Sequence, residues 1–317
     1  MSAVTVHDLV TETMFTDAVA SAIAAPSLHN SQPWRFRFDR ETDTVQVRAD
    51  RARAMRVADP SGWGMRVALG AATYNLTLAF AVAGQPMEIA WLPTNTDPDL
   101  HAVLSPGPER PATAEQERLY RAVPHRRSNR APFRPQPVPL HARTEILRAA
   151  REEWAWVELV TGVAPVAAVA QITQAAQQVL DREPGYHPEL RAAWTGRDDG
   201  ADPLVAVLGT AGDLAADHLR AGYALQRVLL TITDLGLSSS MFSQPIEVPS
   251  AREQLRLALG RYGTPQMVLR VGYGEPGRRA ARRPVASVID LQRSRRGPAT
   301  GPDGVGSKAP SAADQRL

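Results

Sequence analysis

The chain contains no cysteine. Disulfide bonds, thiol catalysis and zinc–thiolate sites are therefore excluded. Its seven histidines form no HxxxH or HxH pair, so we expect no metal site. The Gly-x-Ser-x-Gly turn that presents the nucleophile of many hydrolases is also missing, so the sequence gives no indication of hydrolase chemistry.

Lysine is almost absent. All but one of the 36 lysine and arginine residues are arginine, the exception being Lys308. Arginine suits bidentate recognition of phosphate and carboxylate groups, although a GC-rich genome produces the same bias. The 33 acidic residues leave a formal net charge of only +3. Because no long basic stripe alternates with aromatic residues, we expect no nucleic-acid surface.

Long hydrophobic runs are missing as well. No stretch reaches 18 unbroken apolar residues, so no membrane span is expected. The first residues, MSAVTVHDLVTE, lack the basic segment and the apolar core of a signal peptide. We therefore expect a cytoplasmic protein.

The chain has 317 residues, 44% of them hydrophobic and 22% charged, which is a normal globular balance for two domains or one large one. Residues 93–111 are rich in proline and polar groups and are expected to form a linker. The spacing of apolar residues predicts helices over about 13–25, 63–83, 114–122, 141–151, 165–180, 214–235 and 250–259, and strands over about 34–38, 45–47, 89–92, 154–160, 204–208, 240–242 and 267–271.

Two of the predicted helices carry a weak internal repeat. The segments Gly70–Gly84 (GAATYNLTLAFAVAG) and Gly222–Gly236 (GYALQRVLLTITDLG) begin and end with glycine and are offset by 152 residues, close to half the chain. A predicted strand follows each helix. A duplication would produce this pattern, and so would two unrelated buried helices that end in glycine, so both explanations stay open.

The segment Ala25–Phe36 (APSLHNSQPWRF) joins a helix to a strand through polar residues. Ser27, Asn30 and Gln32 can each donate and accept hydrogen bonds, as the edge of a uracil-like ring or a ribityl chain requires. Proline, serine and asparagine also favour turns, so plain turn chemistry is the alternative explanation.

The segment His125–Phe133 (HRRSNRAPF) is a cluster of arginines. Its members Arg126, Arg127 and Arg130, with Ser128 between them, can converge on a phosphate through charge-assisted hydrogen bonds. A solvated basic turn is the alternative. A later GYGEPG sequence fits the G-x-G-x-x-G pattern, but a proline-bracketed, arginine-rich stretch stands where a helix must begin, so a dinucleotide fold is not expected.

Both segments resemble motifs of the nitroreductase superfamily. The APS-x-x-N-x-QPW stretch is similar to that family's flavin-contacting loop, and RRSNRAPF is similar to its phosphate-binding arginine motif, with one extra residue before Phe133. A third stretch, Pro265–Ile289, resembles the family's last core strand and its terminal RRP element, which contacts the flavin phosphate. The resemblance extends over about residues 13–290 and is closest to the Acg type.

The resemblance implies an α+β, nitroreductase-like fold with tandem-duplicated halves in one chain, each with a central antiparallel sheet flanked by helices. An ordinary member is a homodimer that holds flavin between its subunits, with the arginine motif of one and the APS loop of the other. In those chains the arginine motif comes first, whereas here it follows the APS loop by about a hundred residues. A fused and diverged pair would keep one copy of each motif and bind one FMN, either as a monomeric pseudo-dimer or as a weak homodimer.

The expected divisions are a first half over 1–110, a second half over 111–292, and a disordered tail over 293–317. At the repeat offset from Ser27–Asn30 the chain has Val179–Arg182, so no second APS loop is expected. The Acg resemblance further implies a segment folded over the flavin. The candidate lid is 181–203, with Tyr186 and Trp194 as ring-covering residues, and an ordinary surface loop is the alternative.

Residue roles follow from the same resemblance. Ser27, Asn30 and Gln32 would contact the isoalloxazine ring or its polar edge, and the loop Ser239–Gln244 would lie against the ring. The full set implied to bind the cofactor is Ser27, Asn30, Gln32, Arg126, Arg127, Ser128, Arg130, Ser240, Met241, Arg282 and Arg283.

The resemblance therefore implies an FMN-dependent oxidoreductase that takes electrons from NAD(P)H and passes them to a small-molecule acceptor of the nitro or quinone-like kind. Flavin N5 carries the hydride, so no side chain is expected to act as acid, base or nucleophile. The alternative is a protein that sequesters FMN under its lid and turns over little. Neither the acceptor nor a preference for NADH or NADPH follows from these residues.

Overall fold

Short segments of alternating burial form the sheet of the first half. The computed structural model describes residues 9–186, 203–275, 277 and 279–290, and the expected tail lies outside them. In the strand Thr44–Ala49 every second side chain is buried, as a sheet with one covered face requires. The elements of this half are α1 (Glu12–Ala22), β1 (Trp34–Asp39), β2 (Thr44–Ala49), α2 (Trp63–Val82), β3 (Met87–Trp91) and β4 (Leu100–Pro106).

The expected linker over 93–111 is wrong, because it contains β4. This strand pairs antiparallel with both β2 and β3, so it is an inner strand of the sheet order β1-β2-β4-β3. Prolines at positions 98, 106 and 108 flank a short apolar run. Because proline is typical of loops, the sequence pattern did not predict a strand there. Pro106 stands at the strand's end, where a missing N–H disturbs the ladder least.

The second half forms a separate antiparallel sheet of the order β5-β6-β8-β7. The strand predicted to start at Trp154 begins two residues later, at Trp156. Trp154 has φ 59°, which is outside the extended range of a strand. The elements are α3 (Ala114–Ala122), α4 (Leu140–Arg151), β5 (Trp156–Val160), α5 (Val163–Asp181), β6 (Leu204–Thr210), α6 (Ala215–Asp234), β7 (Ser238–Phe242), α7 (Gln244–Glu247), α8 (Pro249–Ala258) and β8 (Thr264–Gly272).

The two sheets share one topology. In each, two strands precede a 20-residue helix, α2 or α6, and two strands follow it, with the last strand placed inside the sheet. The differences lie in the connections. β1 and β2 are joined by the turn 40–43, whereas α5 and the segment that follows it lie between β5 and β6. The shared topology agrees with the offset found in the sequence, and an origin by duplication stays a prediction.

The connection before each first strand also differs. The loop 23–33 joins α1 to β1, whereas only residues 152–155 join α4 to β5. The second half therefore has no counterpart to the polar loop that contains Ser27. By length and composition α2 is apolar enough to cross a membrane, but 83% of its apolar window is buried inside the protein.

The central helices hold the halves together. α2 and α6 pack against each other, and each contributes to the other half's core: Trp63 and Val67 join the second core, and Leu219 joins the first. After β8 the chain returns to the first sheet, where Phe36 N donates to Val288 O at 2.8 Å and Asp290 N donates to Phe36 O at 2.8 Å. This return brings residues 279–283 against the loop after α1.

Candidate functional site

A cavity of about 720 Å³ lies where the two halves meet. Its volume is within the range of about 300–1,000 Å³ that small-molecule sites occupy. The loop after α1, the first turns of α2, the segment after α3, β7 and the chain beyond β8 all contribute to its lining. Of the residues expected to bind a cofactor, it brings together Ser27, Asn30, Arg126, Arg127, Ser128, Arg130, Ser240, Met241 and Arg282.

The loop from Ser27 has an unusual backbone. His29, Asn30 and Gln32 have φ values of 49°, 56° and 51°, in the left-handed region that residues other than glycine seldom adopt. The Ser27 hydroxyl accepts a hydrogen bond from Gln32 N at 3.0 Å, which closes the loop on itself. Strained backbone of this kind persists only where surrounding contacts fix it, and it is common at binding sites.

Arg282 supplies those contacts. Its guanidinium donates to Asn30 Oδ1 at 2.9 Å and to the carbonyl oxygen of Ala25 at 3.1 Å, and Asn30 Nδ2 donates to Ala281 O at 3.1 Å. The chain end that returns from the second half therefore fixes the polar loop of the first half.

The cationic end of the cavity contains Arg126, Arg127 and Arg282. Arg126 is 8% exposed, and its Nε and Nη1 have no hydrogen-bond partner. Burial, with Arg282 and Arg127 close by, lowers the pKa of Arg126 to about 10. Within the described ranges, none of these three guanidinium groups forms an ion pair with a carboxylate. Like charges kept together without an acidic partner indicate a site for an anion.

The segment after α3 is attached to β7. Asn129 N donates to Ser239 O at 2.7 Å, and the Ser240 hydroxyl donates to Asn129 O at 2.6 Å. These bonds place Ser128 and Ser240 on the same wall of the cavity. Arg130 and Arg279 are exposed residues of the lining, and Arg279 further lowers the pKa of Arg282, which burial already depresses.

Part of the lining is an apolar wall that was not expected from the sequence. Trp63 and Val67 come from the start of α2, Leu225 from α6 and Met267 from β8. Asp59 fixes the start of α2 by accepting hydrogen bonds from Gly64 N at 3.0 Å and Met65 N at 2.8 Å. No local motif marks these residues, because they meet only after the two helices and the second sheet have packed.

Gln32 and Arg283 do not line the cavity. Gln32 Oε1 accepts a hydrogen bond from Arg283 N at 2.8 Å, and the Arg283 guanidinium donates to Gln32 O at 3.0 Å. Arg283 also forms an ion pair with Asp50 at 3.0 Å. Both residues lie beside the cavity and join the returning chain to the loop, and their predicted contact with a cofactor stays untested.

Of the predicted lid, the structure describes residues 181–186 and 203, and Trp194 lies outside the described residues. Tyr186 is not part of the cavity lining. Its ring packs edge-on against His29, with 5.8 Å between ring centroids, and its hydroxyl donates to Glu247 Oε2 at 3.2 Å. His29 does line the cavity, and the sequence analysis did not select it.

The residues present fit FMN. The cavity pairs an apolar wall, where a flat hydrophobic ring system can be buried, with a cationic end where Nε and Nη1 of Arg126 and Nε of Arg282 have no hydrogen-bond partner. A phosphate dianion would satisfy those donors and relieve the repulsion between Arg126 and Arg282. Serine and asparagine side chains between the two ends can bond a polar ring edge or a ribityl chain.

Comparison with known proteins finds a family match over part of the chain. Residues 123–273 match the Nitroreductase family model, and this stretch contains the arginine cluster and the second sheet. The chain therefore contains a nitroreductase-family region, which spans just under half of its length.

Over most of its length the chain is similar to proteins of Mycobacterium tuberculosis that are named as putative nitroreductases. The putative NAD(P)H nitroreductase acg of Mycobacterium tuberculosis is 26% identical over 90% of this chain and 97% of its own. A second putative NAD(P)H nitroreductase of that organism is 29% identical, over 85% of this chain and 89% of its own. Among solved structures, a nitroreductase with bound FMN from Desulfitobacterium hafniense matches with a TM-score of 0.45 and 14% identity, over 55% of this chain and 98% of its own.

Proposed function

We propose that the chain is an FMN-dependent oxidoreductase of the nitroreductase type that passes electrons from NAD(P)H to a nitro or quinone-like acceptor. The family match and the full-length relatives support the reaction class. The observation that carries the proposal is the buried guanidinium of Arg126, which lies beside Arg282 at the cavity and has no hydrogen-bond partner for its Nε and Nη1.

The protein's part in this chemistry is to bind and to orient. The flavin, when bound, supplies hydride transfer. Arg126, Arg127 and Arg282 neutralise and anchor the phosphate, while Ser27 and Asn30 bond the polar edge. The wall formed by Trp63, Val67 and Leu225 excludes water from one face. None of these roles requires a side chain to act as an acid or a base.

One chain is sufficient for one site, because both halves line the same cavity and the second half has no counterpart of the Ser27 loop. We therefore expect one FMN per chain and a folded, loaded monomer or a weak homodimer. Light scattering combined with flavin absorbance measures this ratio directly. One FMN per two chains would contradict the pseudo-dimer.

A second candidate is an FMN-sequestering protein. The contact that favours it is Tyr186, which packs on His29 at the cavity and is itself held by Glu247. If this contact holds Tyr186 in place beside the cavity, it restricts the reductant's approach to the flavin. If it opens, turnover follows as in other enzymes with closing loops.

One experiment separates the two functions. The FMN-loaded protein is mixed anaerobically with NADPH or NADH, and the flavin absorbance is followed. Bleaching by a nicotinamide supports the oxidoreductase, whereas bleaching by dithionite alone supports sequestration. Tyr186→Ala should speed nicotinamide bleaching if the contact with His29 limits access. A colourless protein that cannot be loaded with FMN contradicts both functions.

A further inference from the structure

Trp63 is the aromatic residue that the first turn of α2 presents to the cavity. It is 5% exposed, and its indole N–H donates to Gln266 Oε1 at 2.7 Å. A buried indole N–H needs an acceptor, and the direction of that bond fixes the plane of the ring. The acceptor comes from β8, in the other half of the chain.

Four contacts fix the amide of Gln266, which is 1% exposed. Its Oε1 accepts from Trp63 and from Arg252 Nη2 at 3.0 Å, and its Nε2 donates to Thr210 Oγ1 at 2.9 Å and to Asp213 Oδ1 at 3.3 Å. A flipped amide would turn its NH2 group toward two donors. The orientation of the acceptor for Trp63 is therefore determined by its surroundings.

The same network returns to α2. Asp213 accepts from His218 Nε2 at 2.7 Å, and His218 Nδ1 accepts from Arg66 Nε at 3.1 Å. Arg66 lies three residues after Trp63, on the same side of the helix. The start of α2 is thus attached to the second half at two points, which leaves the indole little freedom to turn.

We propose that Trp63 forms the aromatic wall against the flavin ring and that Gln266 is the positioning residue that sets the plane of its indole. The inference rests on the proposed function, since it requires FMN in the cavity. It assigns the fixed face of the ring to Trp63, Val67 and Leu225.

The spectroscopic consequence is specific. An indole in contact with a flavin quenches the flavin fluorescence, so FMN bound to the native protein should be only weakly fluorescent. Trp63→Phe keeps a ring but removes the indole, and should raise the fluorescence of bound FMN severalfold. Gln266→Met takes away the acceptor at similar volume, so the indole turns, with an intermediate rise in fluorescence and about tenfold weaker FMN binding, equivalent to about 1.4 kcal/mol.

Rescue and coupling identify the hydrogen bond as the cause. Gln266→Glu keeps an acceptor oxygen for the indole and should keep the flavin fluorescence low, with a loss of stability because its second oxygen faces Asp213 where the amide donated. On the Trp63→Phe background, Gln266→Met should add no change in fluorescence, because the N–H that it positions is gone. The matched control is Gln85→Met, a buried glutamine that bonds Pro86 O and Gly107 O in the first half and does not line the cavity.

The outcomes separate this inference from the proposed function. Native protein that takes up no FMN defeats the function itself. If the native protein and Trp63→Phe bind FMN with the same affinity and the same flavin fluorescence, Trp63 does not contact the flavin ring. Equal effects of Gln266→Met with and without the indole overturn the positioning role. Melting temperatures of every variant show whether it is folded before it is compared.

Discussion

Gly70 of α2 packs against the backbone of α6, and Gly222 of α6 packs against the backbone of α2 in the same way. A Cβ atom on Gly70 would lie 1.9 Å from the carbonyl oxygen of Leu219, and a Cβ atom on Gly222 would lie 1.9 Å from that of Val67. Both pairs are related by the 152-residue offset of the sequence repeat. The two central helices therefore cross backbone to backbone, at a point that each half supplies in the same way.

Gly70→Ala or Gly222→Ala should force these helices apart. The obstructing atoms are backbone and cannot rotate away, so we expect at least about 3 kcal/mol of destabilisation, at or above the upper end of ordinary overpacking. Because α2 and α6 both line the cavity, FMN binding should weaken as well. Urea unfolding and FMN titration measure the two effects.

Gly84→Ala is the control for that pair. No atom lies within 4 Å of a Cβ there, but φ is +88°. The substitution should cost about 1–2 kcal/mol from backbone strain alone and leave FMN affinity unchanged. Similar losses of stability and affinity at all three glycines would contradict a specific role for the helix crossing.

Arg126→Met should affect folding and binding in opposite directions. In the absence of FMN the variant removes a buried charge with no acidic partner, so its melting temperature should equal or exceed that of the native protein. FMN binding should weaken about 10- to 100-fold, in line with about 1.5–3 kcal/mol for a charged hydrogen bond.

Arg121→Met provides the comparison, because that arginine is exposed on α3 and does not line the cavity. It should change neither quantity. A fall in stability of the FMN-free Arg126→Met protein, with its FMN affinity intact, would assign Arg126 to the fold and remove it from the site.

Arg283→Met should lower stability more than FMN binding. Asp50 is 8% exposed, and loss of its partner would leave a buried carboxylate unpaired, at a cost of about 3–5 kcal/mol. Adding Asp50→Asn removes that charge and should recover part of the loss. The free energy of unfolding from chemical denaturation gives the coupling. Normal stability with weak FMN binding would instead support the phosphate role expected from the RRP element.

Glu247 should make stability depend on pH. Burial raises the pKa of Glu247 to about 7, hydrogen bonds from Ser243 and Tyr186 oppose the shift, and nearby Asp59 adds to it. The folded protein therefore holds a proton that the unfolded chain releases near pH 4.5. This contribution is fully present below pH 4.5 and is lost as the pH rises through 7, by about 3 kcal/mol.

The difference between native protein and Glu247→Gln isolates that contribution, since other groups such as His218, whose pKa burial lowers, act in the opposite direction. Melting temperatures of the two proteins should lie close together near pH 5 and separate toward pH 8, where the native protein loses stability that the uncharged glutamine keeps. Parallel curves would show that Glu247 does not titrate in this range.

Much of the architecture was predictable because its signals are local. Helix α2 begins after Asp59-Pro60-Ser61-Gly62 and ends before Gly84. The turn residues before the helix and the glycine after it therefore predicted both of its ends to within one residue. β4 was missed for the same reason, since the prolines around it are local signals too. Its strand character comes from pairing with β2 and β3, which no window of sequence contains.

Residue type and proximity in the chain were enough to predict that Arg126, Arg127 and Ser128 lie together as a candidate phosphate site. The tertiary structure added Arg282 to the cationic end and brought together the rest of the cavity. It brought Trp63 into hydrogen-bonding contact with Gln266, which is 203 residues away in the chain. It also brought Arg283 to Gln32 and Asp50, which are 251 and 233 residues away. Such partners are chosen by how two sheets and two central helices pack, and packing brings together side chains whose positions in the chain are unrelated.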